Sequence, residues 1–484
     1  MAVDETISAS LTRPSRIVGA LIAFTALGSW LPPLPSSLWA DEGVTHWIIK
    51  DGWSQTLHRA AAFEGESPLY FLILRGFRSV LGSTEIALRA PSLFAIAVAT
   101  ALIWRIGRRL ADSETGLLAA LAFAGLEFIV FAAADARSYA FALLALLGST
   151  LALIRWADER NTRDAILYIA LATTALHLHY FTATALIAHA AHVWARRDRL
   201  RPLSFAVAWV TIAALLTPAV PQINALLGRR ESLELPHDVT LNLFFTALFP
   251  VALVGSMALG IVCALRWGRP TLRPPTLQPG GAALAGALWI VPPVVLAGVT
   301  LFSSTRIFEG RYLFFATPGL ALVAGVAMRS ISPATARLIV AAILSAVSLF
   351  TFVGLSHTGD NWGAASKVER ALAGPHTRVL YRSTLVESAQ IDWLTAPDKR
   401  AYLLSMTSRS PFDGKIDVLP HTLAPESERY LESLVTHELL GARRILLVNG
   451  GLEYEAWLEG RLRGYSARKA AGSDAITVIV FERR

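Results

Sequence analysis

The chain has 484 residues, of which 54% are hydrophobic and 17% charged. With a mean hydropathy of +0.48 it is too apolar for an ordinary soluble domain and reads as a multi-spanning membrane protein. A net charge of +8 would fit a nucleic-acid binder only if the basic residues shared one patch. Instead the arginines recur in short clusters between apolar runs, as in cytoplasmic loops facing anionic lipid, so no nucleic-acid partner is expected. The one cysteine, Cys263, lies inside an apolar run, which excludes an intrachain disulfide and a cysteine-based metal cluster.

Residues 17–34 form the first apolar run, preceded by Arg13 and Arg16. This pattern fits a signal peptide or a first transmembrane helix. Leu38 occupies the position where a cleavage site before residue 41 would need a small residue, which favours a retained helix. Pro32, Pro33 and Pro35 end it. The loop 36–88 is polar for such a chain. Within it Val44, Trp47 and Ile48, then Leu69, Leu72, Ile73 and Phe77, recur at helical spacing, which predicts short amphipathic helices lying in the membrane surface.

Further runs long enough to cross a bilayer follow near 90–107, 115–133, 138–155, 164–179, 181–195, 203–221, 241–265, 281–303, 311–328 and 336–355, about eleven transmembrane helices in all. Arginine clusters at 105–109, 155–163, 196–201, 266–273 and 329–337 fall on the N-terminal side if each run crosses once. The positive-inside rule makes that side cytoplasmic and puts the loop 36–88 outside. The Pro-rich stretch 270–279 then reads as a cytoplasmic linker. Beyond residue 355 hydropathy falls, and 356–484 is long enough to bury its own core. Apolar runs at 379–381, 401–404, 445–448 and 476–481 predict strands, and 385–395, 425–438 and 452–463 predict helices. The expected architecture is therefore a mainly α, polytopic membrane domain over 1–355 and a C-terminal extracytoplasmic α/β domain over 356–484.

Polar residues from separate segments gather on the predicted outer face. Asp41 and Glu42 follow the first span, and Glu64 and Glu66 lie in the same loop. Asp135, Arg137 and Tyr139 sit between the third and fourth spans, His177 and His179 between the fifth and sixth, and Glu309, Arg311 and Tyr312 at the start of the tenth. Asp41 can serve as general base toward an acceptor hydroxyl; the alternative is that Asp41 and Glu42 cap a surface helix, where acids favour the N-terminus. Arg137 and Arg311 can clamp a phosphate with forked donors or simply snorkel to the interface. His177 and His179, with Glu66 or Glu64, form a candidate divalent-metal set. His-x-His is equally the pattern of packed, hydrogen-bonded histidines. His189 and His192, inside the sixth span, read as packed, hydrogen-bonded residues.

In order and spacing these motifs resemble the GT-C family of polytopic glycosyltransferases that use polyprenyl-phosphate sugars. The nearest branches are dolichyl-phosphate-mannose mannosyltransferases, lipid A aminoarabinose transferases and rhizobial lipopolysaccharide galacturonosyltransferases. The matching pieces are Trp39-Ala40-Asp41-Glu42, Ser67-Pro68-Leu69-Tyr70, Ala87-Leu88-Arg89-Ala90-Pro91-Ser92, Ala136-Arg137-Ser138-Tyr139-Ala140, His179-Tyr180-Phe181, Arg311-Tyr312-Leu313 before Pro318, and Asp360-Asn361-Trp362-Gly363. The resemblance implies inverting transfer of a sugar from a polyprenyl-phosphate donor to a lipid, glycan or protein acceptor of the cell envelope. The chemistry would take place on the outer face of the inner (plasma) membrane, with the N-terminus cytoplasmic. It implies a base role for Asp41, support from Glu42, and donor phosphate binding by Arg137 and Arg311. Tyr70, Tyr139 and Tyr312, inside the matching motifs, join them as substrate-binding candidates. Glu66-Ser67-Pro68 stands where many relatives carry His-Pro-Pro, which leaves a divalent cofactor open. The competing function is transport or flipping of a lipid-linked saccharide, which would share the helix count and the arginine-lined outer rim; Pro292-Pro293 in the ninth span is a candidate helix break for it, but acids in mid-span are scarce.

Overall fold

The computed structural model describes residues 13–63, 67–228, 239–267, 269–303, 306–352, 358, 361–409, 414–470 and 476–484. Over the described residues, each apolar run expected to span the membrane is mainly helical. In chain order these helices are α1 (Arg13–Trp30), α5 (Glu85–Leu110), α6 (Ser113–Ala124) with α7 (Glu127–Ala133), α8 (Tyr139–Glu159), α9 (Thr162–Leu178), α10 (Thr182–Ala195), and α11 (Pro202–Leu215) with α12 (Val220–Gly228). They continue with α13 (Leu241–Leu248) and α14 (Val251–Trp267), α15 (Gly281–Phe302), a 3-10 turn (Gly310–Ala316) leading into α16 (Thr317–Arg329), and α17 (Ala334–Phe352). Short helices α2 (Ala40–Ile49), α3 (Trp53–Phe63) and α4 (Leu69–Leu81) fill the predicted first loop.

Among the described residues five helices are long and apolar enough to cross a bilayer, or up to eight if each bent pair is one span. The expectation of about eleven counted α1, α9 and α10 as full crossings; α9 and α10 have only 17 and 14 residues. The bends are local consequences of sequence. Gly125 ends α6, and a turn of 72° follows before α7. Phe249-Pro250 breaks α13 from α14 at 57°, because proline disfavours helical backbone at the residue before it.

The chain divides into two compact units. The first holds the described residues of Met1–Leu34, Arg89–Asn224 and Glu234–Gly354. Its helices meet at small residues: a Cβ on Gly319 would lie 2.1 Å from the backbone nitrogen of Trp289, so α16 and α15 touch backbone to backbone. Its outward side chains are apolar, as at Leu203, Val207 and Val210 of α11, which suits contact with lipid.

The second unit joins Pro35–Leu88 and a short piece at Ala225–Leu233 to Leu355–Arg484. The predicted surface loop is thus packed with the C-terminal segment. Met406 presses on Gly43 of α2, Trp47 and Phe63 contact the ring of Tyr402, and the Gly363 amide donates to Ser37 Oγ at 2.9 Å. Beside the short pair β1 (Thr271–Leu272) and β2 (Ile331–Ser332) of the first unit, a five-stranded sheet forms the centre of the second, in the order β4 (Lys415–Leu419), β3 (Thr377–Arg382), β5 (Arg444–Val448), β7 (Val478–Arg483), β6 (Tyr465–Lys469). The first three strands are parallel, and β7 runs antiparallel to both β5 and β6. Helices α18 (Trp362–Leu372), α19 (Pro425–Leu434) and α20 (Gly451–Arg461) accompany it. The predicted strand at 401–404 is instead the end of a helix (Pro397–Leu403), which Pro397 and Asp398 start in the favoured first-turn positions. Strands β4 and β6 were not expected: Lys415-Ile-Asp-Val-Leu and Tyr465-Ser-Ala-Arg-Lys carry too many polar residues to stand out, being the two edges of the sheet.

On α18, Glu369 is 2% exposed, and its burial raises the carboxyl pKa to about 7 against a weaker opposing effect of Arg370. The folded chain therefore holds this proton more tightly than the unfolded chain. The stabilisation is full below the unfolded value of 4.5 and is lost as pH rises to about 7. Glu369→Gln is expected to remove this dependence and to stabilise the unit at pH 8 by about 3 kcal/mol. Amide exchange of β3 measured from pH 5 to 8 checks it: protection in the wild type should fall relative to the variant.

Candidate functional site

In the first unit the site is built where α8, α10 and the turn before α16 begin. Asp135-Ala136-Arg137-Ser138 crosses from α7 to α8, and all four residues are buried. His179 lies in the connector between α9 and α10, outside either helix, with its backbone N–H closing α9 onto Ala175 at 2.9 Å. Arg311 and Tyr312 open the 3-10 turn that leads to Pro318.

These segments share one aromatic wall. The His179 ring is 5.1 Å from Tyr139, 5.0 Å from Phe315 and 6.2 Å from Tyr312. Phe181 packs on Tyr312 at 4.4 Å, and the Arg311 guanidinium lies 5.2 Å from the Tyr312 ring centre. Burial, then the positive fields of Arg137 and Arg311, push His179 down to about 3. Its imidazole is therefore neutral at physiological pH, within the field of two permanent cations. The sequence-predicted Arg137, Tyr139, His179, Arg311 and Tyr312 are thus neighbours. His177 is directed elsewhere, with Nε2 3.2 Å from the carbonyl oxygen of Leu215.

Among the described residues no three ligating side chains cluster, and the positive fields of Arg137 and Arg311, which add to burial in suppressing the His179 proton, also disfavour a cation beside it. Glu64, Glu66 and Asp360 lie outside the described residues.

Beside this wall runs an apolar cavity of about 580 Å³. Gly310, next to Arg311, lines it, as do Phe128, Leu243, Val251, Leu320 and Leu344. Phe128 also packs on Phe314 at 6.2 Å, which ties the cavity wall to the aromatic cluster. Such a groove can hold a hydrocarbon chain with its charged end at the arginines.

Sequence reading gave Arg89 no role beyond its place in a matching motif. It is fully buried, and its Nη1 donates to the carbonyls of Pro33 and Leu34 at 3.1 and 2.9 Å. It thereby caps the proline-rich exit of α1. The cue was an arginine inside an otherwise apolar run.

In the second unit α2 carries the acidic pair. Asp41 stands in its first turn, half-buried, and its backbone carbonyl accepts from Thr45 Oγ1 at 3.0 Å. Glu42 is fully buried, and its Oε2 accepts from the Trp39 N–H at 3.3 Å. Glu42 therefore caps the helix, as one of the two readings anticipated. Tyr70 is buried in α4, its ring 5.3 Å from that of Phe71.

A family model of dolichyl-phosphate-mannose-protein mannosyltransferases matches residues 65–223. No curated protein matches the sequence. Among solved structures, ArnT from Cupriavidus metallidurans bound to undecaprenyl phosphate is similar at a TM-score of 0.58 with 10% identity, over 96% of this chain and 97% of that one. Its apo form gives 0.57 and 11%, over 97% and 98%. The Archaeoglobus fulgidus oligosaccharyltransferase AglB, in complex with an inhibitory peptide and a dolichol-phosphate, gives 0.51 and 11%, over 97% and 74%. At these identities the likeness is one of fold. The chain thus matches the mannosyltransferase family model over residues 65–223 and shares the fold of ArnT and AglB over nearly its whole length.

Proposed function

We propose that the chain is an inverting glycosyltransferase that takes a sugar from a polyprenyl-phosphate donor and moves it to a hydroxyl of an envelope acceptor on the extracytoplasmic face. The observation that carries this reading is the pairing of Arg137 and Arg311 around the neutral His179, beside an apolar cavity of about 580 Å³. The solved relatives bound to undecaprenyl phosphate and to a dolichol-phosphate support the same class of lipid. In this reading the polyprenyl tail lies along Leu243, Val251 and Leu344, and the phosphate meets the two guanidiniums. Tyr139 and Tyr312 flank the sugar, and Tyr70 supports the acceptor side.

Asp41 takes the proton of the acceptor hydroxyl as its oxygen bonds to the anomeric carbon. The bond from that carbon to the phosphate oxygen breaks, and polyprenyl phosphate leaves with the electron pair. The charge that gathers on it in the transition state is what Arg137 and Arg311 stabilise. Attack from the face opposite the phosphate inverts the anomeric centre. Glu42 supports Asp41 by fixing the start of α2. The arginine clusters orient the N-terminus toward the cytoplasm and the C-terminal domain outside. The test is release of polyprenyl phosphate by the purified chain from a donor labelled in its sugar. Release matched one for one by label on a new acceptor supports the reading; release without acceptor labelling, or no release with acceptors from the cell envelope, opposes it.

A further inference from the structure

The apolar cavity beside the aromatic wall carries one group with no part in the sugar transfer. Glu127 bounds it and, among the described residues, is the one charged side chain in its lining. The residue is exposed and makes no hydrogen bond or ion pair with any described residue. The hydroxyls of the lining are already committed. Thr246 Oγ1 donates to the carbonyl of Asn242 at 2.9 Å, Thr317 Oγ1 to that of Phe314 at 2.7 Å, Ser348 Oγ to that of Gly125 at 3.1 Å and Thr351 Oγ1 to that of Val347 at 2.8 Å. The lining therefore offers one anion and no side-chain proton to satisfy it.

Its depth makes that anion informative. Helix α6 has 12 residues, about 18 Å of rise, and its first end is pinned by ion pairs of Arg329 with Asp112 at 3.0 Å and of Arg337 with Glu114 at 2.7 Å. Glu127 follows three residues after Ala124, the last of α6, and so lies inside a hydrocarbon core of about 30 Å. An acid at that depth is costly unless it is paired or has a use. Its place in the first turn of α7 gives some stabilisation but leaves the carboxylate oxygens without donors. The size of the cavity limits what can reach it. At about 30 Å³ per non-hydrogen atom, the share of one water molecule in its liquid, the cavity of about 580 Å³ takes about 19 atoms, or one long acyl chain. An apolar site for one chain with one carboxylate on its wall is complementary to a lipid that carries a cation.

We propose that this cavity binds a lipid with a primary ammonium headgroup, of the phosphatidylethanolamine type. The ammonium donates to the Glu127 carboxylate while one acyl chain fills the apolar lining. A primary ammonium brings three donors to a carboxylate that has none. A choline headgroup brings no N–H, and a glycerol headgroup brings no positive charge. Such a lipid occupies the cavity when no polyprenyl donor is there. This inference rests on the cavity and on Glu127, and on no step of the sugar transfer.

Native mass spectrometry of the full chain tests it, with phosphatidylethanolamine and its N-acetylated form in competition. The two lipids share acyl chains and phosphate and differ in the ammonium. The expected result is about tenfold preference for the ammonium lipid in the wild type, the worth of one charge-assisted hydrogen bond, and equal retention in Glu127→Gln. A second variant keeps the test valid should Glu127→Gln fold poorly. Leu344 of α17 lines the cavity, and Leu344→Trp, which fills it, should lower retention of the ammonium lipid about tenfold. Equal retention of the two lipids by the wild type, or a preference that survives Glu127→Gln, overturns the proposal. Retention unchanged in Leu344→Trp overturns it as well, because the lipid then sits outside the cavity.

Discussion

Replacing Asp41 with Asn is expected to lower the rate of sugar transfer by about 10²- to 10⁴-fold, the usual contribution of a positioned general base. The substitution keeps shape and volume and removes the negative charge together with the ability to take a proton. Two contacts that organise α2 survive the substitution: the Asp41 backbone carbonyl receives Thr45 Oγ1, and the Trp39 amide is held by Glu42. Donor KM should stay near the wild-type value while kcat falls. The alternative role, a favourable charge at a helix N-terminus, predicts the reverse pattern. It would cost about 0.3–1 kcal/mol of stability and leave turnover nearly intact. Glu42→Gln separates the two acids: the cap is an accepted hydrogen bond that the amide oxygen of Gln can still receive, so activity should drop far less than in Asp41→Asn. Steady-state kinetics with thermal unfolding of the three proteins distinguishes these outcomes.

Arg311→Gln is expected to reduce kcat by about 10²- to 10³-fold, the size of effect seen when one donor to a developing oxyanion is lost. Arg137→Gln should behave similarly, since both guanidiniums already act on the same ring, His179. Lysine should restore only part of the activity at either position, because a single ammonium cannot make the forked contact with a phosphate. If either arginine merely snorkels to the membrane surface, lysine and arginine would be equivalent and even glutamine would leave turnover unchanged. Measuring polyprenyl-phosphate binding alongside kcat divides ground-state from transition-state stabilisation. Loss in kcat with little change in binding is the expected signature.

The helices of the first unit were legible because membrane spans announce themselves by length and hydropathy. Their breaks were less so: 115–133 reads as one run, and the turn at Gly125 depends on a neighbour, since a Cβ there would lie 2.4 Å from Ser348 Oγ of α17. The aromatic wall around His179 was readable only in part. Its arginines and tyrosines stood out as polar residues at predicted helix ends, whereas Phe181, Phe314 and Phe315 look like any apolar membrane residue until the fold gathers them. His177 and His179 are two apart in sequence, yet α9 ends between them, so one ring turns to Leu215 and the other into the wall. Packing of Pro35–Leu88 with the C-terminal segment rests on pairs such as Gly43 with Met406, more than 350 positions apart, which no local periodicity reveals. His192 was readable as a hydrogen-bonded span residue, and its Nδ1 is one. The partner of that nitrogen is the carbonyl of Gly280, a positive-φ residue 88 positions away.

The central claim is covalent transfer from a polyprenyl-phosphate sugar, as opposed to movement of that lipid across the bilayer. Vesicles holding the purified chain, with sugar-labelled donor in both leaflets and an envelope acceptor added outside, test it most directly. The account predicts label appearing covalently on the acceptor with inverted anomeric configuration, one polyprenyl phosphate released per sugar, and neither in Asp41→Asn. Label that changes leaflet while remaining attached to its lipid, at equal rates in wild type and Asp41→Asn, would contradict it.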